Sequence, residues 1–426
     1  MRILVIGSGG REHAIVHSLA ESPRVTAIFA APGNGGTAGE RVTSNVELDS
    51  ADAAATVAFA RDNAVTLVVI GPEVPLVAGL ADELRAAGID TFGPGAAGAL
   101  LEGSKSFSKV IMKRAGIPTA ESRTFTERAP ALEYLRCVGA PVVVKADGLA
   151  AGKGVTVATE MADAVAAVEE CLGGRFGEAG AKVVIEEYLQ GPEVSLLAFV
   201  DGVTVRPMAP AQDHKRAFDG DIGPNTGGMG VYSPVPGISA EDYSRMVEIL
   251  EMTARTLHNE GIDFRGVLYG GFMLTSAGPM VLEYNTRFGD PETQVLLPRL
   301  QTDLAEVLGA VARGKLEELG ELSWSDDVVV SVVMASGGYP GKYETGKPII
   351  GIGRAQEIPG VIVYHAGTRL AADGTVMTAG GRVLNVTAFG RDYGDAIEDV
   401  YEAVSRISFD GAFYRHDIAH RALSAE

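Results

Sequence analysis

The segment LEYNTRFGDPETQ, residues 282–294, concentrates oxygen ligands and a guanidinium at the end of an apolar run. Glu283 and Asn285 are two residues apart, so on a strand their side chains point to the same face. One carboxylate and one amide oxygen suit a hard cation such as Mg²⁺, which takes few protein ligands and completes its shell with water and substrate phosphates. The spacing therefore predicts a metal site at Glu283 and Asn285.

Three further charged residues follow these two ligands. Arg287 offers a fixed fork of donors that matches a carboxylate or a transferring phosphoryl group. Asp290 stands before Pro291, which fits a helix N-cap and a substrate contact equally well. Glu292 is placed to complement the dipole of the helix that would follow. The role of Asp290 stays open between its two interpretations.

A second cluster, KADGLAAGKGV at residues 145–155, lies between two predicted strands. It is not a P-loop, because Asp147 stands where the first glycine belongs and Gly154 stands where a hydroxyl residue belongs. A hairpin tip whose backbone N–H groups and Lys153 face an anion fits the composition better than a static structural hairpin. The segment therefore predicts a mobile flap over nucleotide phosphates.

The stretch IEEYLQGPE, residues 185–193, places two carboxylates at a predicted strand end. A strand that becomes a linker can offer backbone groups to an adenine edge and a carboxylate to ribose hydroxyls. Taken alone, Glu186 and Glu187 would more often be solvated side chains. Because the sequence also predicts a phosphate flap and two metal ligands, Glu186 and Glu187 become candidates for contacts with a nucleotide.

Glycine-rich turns end each predicted strand of the first hundred residues, where a parallel sheet covered on both faces would bind ligands. The first turn, GSGGRE at residues 7–12, has Glu12 where a dinucleotide fingerprint needs Gly or Ala, which weakens a dehydrogenase hypothesis. Two interpretations of the glycines stay open: a phosphate held by the backbone N–H groups of Gly9 and Gly10 at a helix start, and a tight strand-to-helix turn that needs glycine. Arg11 either adds charge there or is an ordinary exposed helix residue.

Composition limits the class of protein. The chain has 426 residues, 46% apolar and 21% charged, which predicts a well-packed soluble protein of two to four domains. No apolar run approaches the roughly 18 residues of a membrane span, and the apolar start is too short for a secretory signal. A net charge of -19 argues against a nucleic-acid partner. Cys137 and Cys171 are expected to be ordinary thiols of a reducing cytoplasm.

The order of predicted elements divides the chain into three parts. Residues 1–102 alternate strand and helix, and residues 103–322 mix both, with a compact unit at about 120–188. Residues 328–426 are rich in strands, and a polar stretch precedes them. Alternating elements predict a Rossmann-like parallel sheet in the first part and α+β structure in the second.

Together these motifs resemble the ATP-grasp ligase superfamily. More narrowly, RFGDPETQ, GPNTGGMG (223–230), QDHKRAFDGD (212–221) and APGNGG (31–36) resemble the glycinamide ribonucleotide synthetase family, and the resemblance continues to AGGRVL (379–384). It implies an N-terminal Rossmann-like (pre-ATP-grasp) domain, an ATP-grasp core of two α+β subdomains and a small C-terminal β-rich domain. It also implies that ATP joins glycine to 5-phosphoribosylamine through glycyl phosphate in purine biosynthesis, with Mg²⁺ or Mn²⁺.

The resemblance implies roles for individual residues. ATP-binding roles fall on Lys105, Lys145, Gly152, Lys153, Gly154, Glu186, Glu187, Leu189 and Glu193. Substrate-binding roles fall on Gly9, Gly10, Asn34, Gly35, Glu73, Arg216, Asn225, Gly228 and Asp290. Catalytic roles fall on Asp213, Lys215 and Arg287, and the metal ligands are Glu283 and Asn285. The strand LYGGFM offers no acidic ligand, so the number of metal ions stays open.

Two other functions stay compatible with most of these residues. Another ATP-grasp ligase could join a different carboxylate to a different amine or to bicarbonate, although RFGDPETQ and NTGGMG argue against it. A catalytically silent nucleotide-binding regulator would not need intact lysines and metal ligands. The expected partners are glycine, 5-phosphoribosylamine and ATP, with no nucleic acid and no membrane. The expected state is a monomer or weak homodimer in the cytoplasm.

Overall fold

The computed structural model describes residues 1–150 and 153–423. No helix in these ranges has the length and apolar character needed to cross a membrane. The first part contains β1 (Arg2–Gly7), α1 (Gly10–Glu21), β2 (Ala27–Pro32), β3 (Thr43–Asn45), α2 (Ala53–Asp62), β4 (Leu67–Ile70), α3 (Glu73–Val77), α4 (Leu80–Ala86), β5 (Thr91–Phe92) and α5 (Ala96–Gly103). Its strands are parallel in the order β3-β2-β1-β4-β5, which confirms the predicted sheet.

Burial along β1 explains why its apolar run is continuous. Ile3 and Val5 pack in one core cluster, whereas Leu4 and Ile6 pack in another. Successive strand residues point to opposite faces, so both faces of the sheet are covered. A single helix predicted at 74–87 is two helices instead, because Gly79 adopts a φ of 89° between them.

The second part begins with α6 and a small antiparallel sheet. Its elements are α6 (Lys105–Ala115), β6 (Ser122–Phe125), α7 (Arg128–Val138), β7 (Val142–Ala146), β8 (Val155–Ala158), α8 (Met161–Glu170) and β9 (Val183–Glu187), with strand order β6-β9-β7-β8. The sequence predicts a helix that begins after Ser104 as N-cap and ends at Gly116 before Pro118. Both caps are confirmed, because the Ser104 hydroxyl accepts the N–H of Phe107 and Gly116 ends the helix with a φ of 65°. Strand β6 was not predicted.

A larger antiparallel sheet follows. The elements are β10 (Glu193–Asp201), β11 (Thr204–Pro207), β12 (Gln212–Asp213), β13 (Arg216–Phe218), β14 (Ile222–Asn225), β15 (Gly230–Ser233), α9 (Ala240–Asn259), β16 (Arg265–Thr275), β17 (Gly278–Asn285), α10 (Thr293–Leu296) and α11 (Leu304–Ala312). The order β11-β10-β16-β17 makes β17, which carries Glu283 and Asn285, an edge strand. Helix α9 packs its apolar face on this sheet, as the predicted helix at 240–259 requires.

The C-terminal part adds β18 (Val328–Ala335), α12 (Ile352–Ala355), β19 (Val361–His365), β20 (Thr368–Leu370), β21 (Val376–Thr378), β22 (Arg382–Gly390), α13 (Tyr393–Ser405) and α14 (His420–Leu423). Its main sheet has the order β12-β15-β18-β22-β19, so two strands of the second part join three of the last. The predicted boundary at residue 328 stays a prediction and falls between strands of one sheet. The mixed α/β and α+β fold class is confirmed by these sheets.

Candidate active site

The end of β17 presents the two predicted metal ligands on one face. Glu283 and Asn285 lie opposite Gly271 and Tyr269 of β16. In the part of the chain that the structure describes, the Glu283 carboxylate makes no hydrogen bond or ion pair within the protein. Burial alone would raise the pKa of Glu283, but nearby lysines and Arg287 lower it.

The donor set at this strand end fits a divalent cation bound together with phosphates. The described residues contain no group of three or more His, Cys, Asp and Glu side chains able to hold a metal. Glu283 and Asn285 therefore supply at most a partial shell, which is how Mg²⁺ is usually held beside a nucleotide. The lysines whose charges reach Glu283 are Lys215, Lys145 and Lys105.

A buried carboxylate holds one of these lysines in place. The Lys145 ammonium lies 2.8 Å from Oε2 of Glu186 and donates to the carbonyl of Leu282 at 3.0 Å. Lys109 contacts the other Glu186 oxygen at 3.2 Å. Glu186 is only 3% exposed, so its carboxylate pairs with the lysines and is not a solvated side chain, and its contact with adenosine stays a prediction. Lys109 was missed, although its position four residues after Lys105 on α6 places both on one helix face.

The flap is anchored to α6 at its start. Lys105 donates to the carbonyl of Gly148 at 3.2 Å, and the Asp147 carboxylate accepts the N–H of Ser106 at 2.6 Å. At the other end Lys153 is exposed, and the carbonyl of Gly154 accepts the N–H of Ala146 at 2.8 Å. Gly152, a predicted ATP contact, lies outside the described residues, and the predicted mobility of the flap stays a prediction.

The linker after β9 joins the two predicted substrate regions. Glu187 is exposed, whereas Leu189 is buried against other apolar side chains. Glu193 pairs with Lys215 at 2.9 Å. A residue predicted to contact adenosine and one predicted to act on the acceptor therefore touch each other. The structure therefore brings together two residues that were predicted to bind different ligands.

Asp213 occupies an acidic neighbourhood beside that pair. Burial raises the pKa of Asp213 to about 7, and the charges of Glu292 and Glu193 add to the effect of burial. Glu292 is buried, and its Oε1 accepts the Tyr269 hydroxyl at 2.8 Å. Asp213 therefore changes protonation near neutral pH, which is a property of acid–base groups. Burial alone would lower the pKa of Lys215, but Glu193, Asp213 and Glu283 raise it well above its usual value.

Arg287 bridges the first domain and the β17 end. Its Nη2 lies 2.9 Å from Oε1 of Glu102, and its Nε lies 3.4 Å from Oε2 of Glu73. Glu102 also accepts the N–H of Thr286 at 2.8 Å. Burial raises the pKa of Glu102, whereas Arg287 and Arg11 hold the pKa of Glu73 below its usual value against the effect of burial. Glu102 carried no sequence signal, because it lies inside the unpredicted helix α5.

Asp290 is paired with an arginine of the C-terminal sheet. Arg382 lies 3.2 Å from the Asp290 carboxylate, and its Nη1 also donates to the carbonyl of Gly227 at 2.6 Å. The other carboxylate oxygen of Asp290 accepts from Gln294 at 2.9 Å. The N-cap position of α10 falls on Glu292, so the interpretation of Asp290 as a cap is wrong, and a substrate contact stays a prediction. Arg382 was missed although it stands in the AGGRVL motif.

The glycine-rich segment 223–230 packs against the loop before α10. A Cβ on Gly228 would lie 2.5 Å from the ring of Pro291, so this contact needs glycine. On the adjoining hairpin, Arg216 and Asn225 face each other, and Arg216 donates to the carbonyl of Gly223 at 2.8 Å. The guanidinium of Arg216 is therefore partly engaged within the hairpin.

The turn after β1 differs from its prediction in two ways. The N–H of Gly9 donates to Oε2 of Glu12 at 2.6 Å, so this amide is already engaged and not free for a phosphate. Arg11 is buried, pairs with Glu12 at 2.5 Å and donates to the carbonyl of Phe288, so it is not an exposed helix residue. A Cβ on Gly10 would lie 2.5 Å from Oδ1 of Asn385, which makes this glycine a packing requirement between domains.

Comparison with protein families gives one result along the chain. The model described as Phosphoribosylglycinamide synthetase, N domain, matches residues 1–102; the ATP-grasp (A) domain of the same family matches 103–293; and its C domain matches 329–421. A Rhizobium meliloti protein named Phosphoribosylamine–glycine ligase is 53% identical over 427 residues and is covered completely, as is this chain. The Gallus gallus trifunctional purine biosynthetic protein adenosine-3 is 51% identical over 426 residues, which are 99% of this chain and 42% of that protein.

Solved structures agree with the family models. The crystal structure of Phosphoribosylamine–glycine ligase from Thermotoga maritima matches with a TM-score of 0.84 and 32% identity, covering 98% of this chain and all of that chain. The biotin carboxylase domain of the Hydrogenobacter thermophilus 2-oxoglutarate carboxylase matches with a TM-score of 0.74 and 15% identity, covering 97% and 91% of the two chains. The second likeness shows the shared ATP-grasp fold alone.

Proposed function

This chain belongs to the phosphoribosylglycinamide synthetase family, and on that premise we propose that it ligates glycine to 5-phosphoribosylamine with ATP. The products are glycinamide ribonucleotide, ADP and phosphate, and the step belongs to de novo purine biosynthesis. The observation that carries the assignment is the match of the three family models along nearly the whole chain. A nucleotide-dependent dehydrogenase is not supported, since Glu12 fills the space beside Gly9 where a dinucleotide fingerprint needs a small residue.

The nucleotide end of the cleft lies between the flap and β17. Lys105 and Lys145 meet the phosphates, and the linker that contains Leu189 and Glu193 borders adenosine. Proteins with the ATP-grasp fold use ATP with a divalent metal ion. Here Glu283 and Asn285 would hold Mg²⁺ or Mn²⁺, which supplies charge neutralisation on the phosphates when bound.

The acceptor end lies between Asp213 and Arg287. The glycine carboxylate attacks the γ-phosphorus of ATP, ADP leaves, and a glycyl phosphate forms. The amine of phosphoribosylamine then attacks the acyl carbon, phosphate leaves, and one proton is released from nitrogen. Arg287 and Lys215 stabilise the negative charge of the transferring group, and the Asp213 carboxylate accepts the proton or holds an ammonium. In this proposal the turn after β1, with Gly9 and Gly10, receives the ribose 5-phosphate, and Glu73 accepts hydrogen bonds from the ribose hydroxyls.

The protonation of Asp213 should appear in the pH dependence of the reaction. Since burial raises the pKa of Asp213 to about 7, we expect kcat/KM for glycine to fall about tenfold per pH unit below pH 7. The Asp213→Asn variant should have a low kcat/KM that does not fall further below pH 7. The variant Asp62→Asn, at an exposed position, should keep the pH dependence of the parent. A carboxyl whose pKa is raised in the folded state makes the folded protein less stable as the pH rises. The Asp213→Asn variant should therefore also be more stable to unfolding than the parent at pH 8. An unchanged pH profile in Asp213→Asn would contradict the role.

Phosphate release with each substrate omitted in turn tests the proposed function. We expect rapid phosphate release only when ATP, glycine and phosphoribosylamine are all present, and slow release without the amine, as water hydrolyses glycyl phosphate. Release with another carboxylate, with another amine or with bicarbonate would indicate a different ATP-grasp ligase. No release with any pair, despite ATP binding, would indicate a regulator.

The remaining organisation is part of the same proposal. The chain works in the cytoplasm on small molecules, as a monomer or weak homodimer of three domains at 1–102, 103–322 and 328–426. The net charge of -19 supports the absence of a nucleic-acid partner. Sedimentation at micromolar concentration measures the oligomeric state, and a stable tetramer would contradict it.

A further inference from the structure

Three buried residues join the first domain to the C-terminal sheet at a distance from the lysine and metal clusters. His13 lies on α1, His365 ends β19, and Asn34 follows β2. Their exposed fractions are 3%, 7% and 6%. No chemical step of the proposed reaction uses either histidine, and Asn34 was predicted only as a substrate contact.

The hydrogen bonds of His13 define its tautomer. The backbone N–H of His365 donates to Nδ1 of His13 at 2.7 Å, so Nδ1 carries no proton. The proton of a neutral imidazole is then on Nε2, which lies 3.1 Å from Oε1 of Glu40. His17 Nδ1 lies 3.0 Å from the same oxygen. The ring therefore bridges the two domains only while it is neutral.

Asn34 connects His365 to the turn after β1 through hydrogen bonds of its side chain. Its amide nitrogen donates to the carbonyl of His365 at 2.7 Å and to the carbonyl of Ser8 at 3.0 Å. Its amide oxygen accepts the N–H of Gly36 at 2.9 Å. Donors and acceptors of the side chain are thus engaged within the protein. Asn34 has no free group for a substrate, and it fixes the path of the turn that leads into α1.

We propose that His13, His365 and Asn34 are positioning residues for phosphoribosylamine, because they hold residues 8–10 in register with the C-terminal sheet. The inference rests on the proposed function, in which the first-domain turn receives the ribose 5-phosphate. The α1 start provides a favourable end of a helix dipole, but the N–H of Gly9 is already engaged by Glu12. The position of the remaining backbone groups therefore decides how well a phosphate fits.

Protonation of His13 at low pH should break its hydrogen bond with the backbone N–H of His365. The titratable groups around His13 are His17 and Glu21 on α1, Glu40 before β3, and Tyr364 and His365 on β19. Burial lowers the pKa of His13 against the opposing effect of Glu40. The pKa of His17 is raised, because the charges of Glu40 and Glu21 outweigh the effect of burial. Because the pKa of His13 is lowered, its ring is neutral at pH 7, and the contact is lost only when the pH falls through that lowered pKa.

Binding of glycinamide ribonucleotide, the stable product, tests the inference by calorimetry. We expect His13→Leu and Asn34→Asp to weaken its binding at least tenfold at pH 7.5 and to change ATP binding less than twofold. His13→Asn places an amide oxygen near the position of Nδ1 and does not titrate, so it should bind within about threefold of the parent. Exposed His258→Leu on α9 is the matched control. The ratio of parent to His13→Asn dissociation constants should rise as the pH falls through the lowered pKa of His13, and the ionisation of the ligand cancels in this ratio.

The outcomes separate the inference from the function on which it rests. Parent-like product binding by His13→Leu, or an equal loss of ATP binding, would overturn the positioning role. If His13→Leu does not fold, parent-like product binding by Asn34→Asp would overturn it instead. A parent protein that binds ATP but never binds glycinamide ribonucleotide would overturn the proposed function, and the inference with it.

Discussion

Replacing Glu283 by Gln should lower kcat at least a hundredfold while the protein stays folded. The substitution keeps the shape of the side chain and removes the charge that Asn285 cannot supply. Losing one preorganised electrostatic element at a transition state costs about 3 kcal/mol, which corresponds to this factor. The described residues give the Glu283 side chain no hydrogen bond or ion pair to lose, although the lysines and Arg287 that lower its pKa mean that its charge adds some stability at neutral pH. Steady-state phosphate release at saturating Mg²⁺-ATP measures the effect.

The control for this variant is Glu398→Gln, an equivalent change on the exposed side of α13. It should leave kcat unchanged. Because the Glu283 carboxylate lies among lysines, its removal should raise the metal concentration needed for half-maximal rate and leave the KM for glycine nearly constant. Near-normal turnover by Glu283→Gln at saturating Mg²⁺ would exclude Glu283 as a metal ligand.

Much of the site could be predicted because its signals are local in the sequence. Strand alternation places Glu283 and Asn285 on one face of β17. The spacing of KADGLAAGKGV excludes a P-loop, and the structure places this segment between β7 and β8. Residue type and spacing along one strand or hairpin are sufficient for such conclusions, since they need no knowledge of how distant elements pack.

The residues that were missed or misjudged are those whose partners are distant in sequence. From the sequence, Arg11 could be an exposed helix residue, but in the structure it pairs with Glu12 and donates to the carbonyl of Phe288. Arg382 reaches Asp290 only because the C-terminal sheet packs against the loop before α10. The alternation of apolar and polar residues reports the burial of one helix or strand at a time. It therefore does not show which side chains of different domains contact each other. The unpredicted helix α5 hides Glu102 for the same reason.

Arg287 depends most strongly on such a distant partner. Its guanidinium pairs with Glu102 at 2.9 Å, and both side chains are largely buried. Removing one partner of a buried pair leaves the other charge without compensation, which typically costs 3–5 kcal/mol. Arg287 therefore supports the fold and, in the proposed reaction, also neutralises the transferring group. A single substitution cannot separate these two roles, but a pair of substitutions can.

We expect Arg287→Met to lower the free energy of unfolding by about 4 kcal/mol and kcat by at least a hundredfold. Burial already raises the pKa of Glu102, and losing the arginine raises it further. A carboxyl whose pKa is raised in the folded state makes the folded protein less stable as the pH rises. The difference in unfolding free energy between the parent and Arg287→Met should therefore become smaller from pH 8 to pH 5, as measured by urea unfolding. Glu102→Gln added to Arg287→Met should restore most of the stability at pH 8, because the neutral amide still accepts the N–H of Thr286. The double variant should remain as slow as Arg287→Met, and recovery of parental kcat would mean that Arg287 only supports the fold.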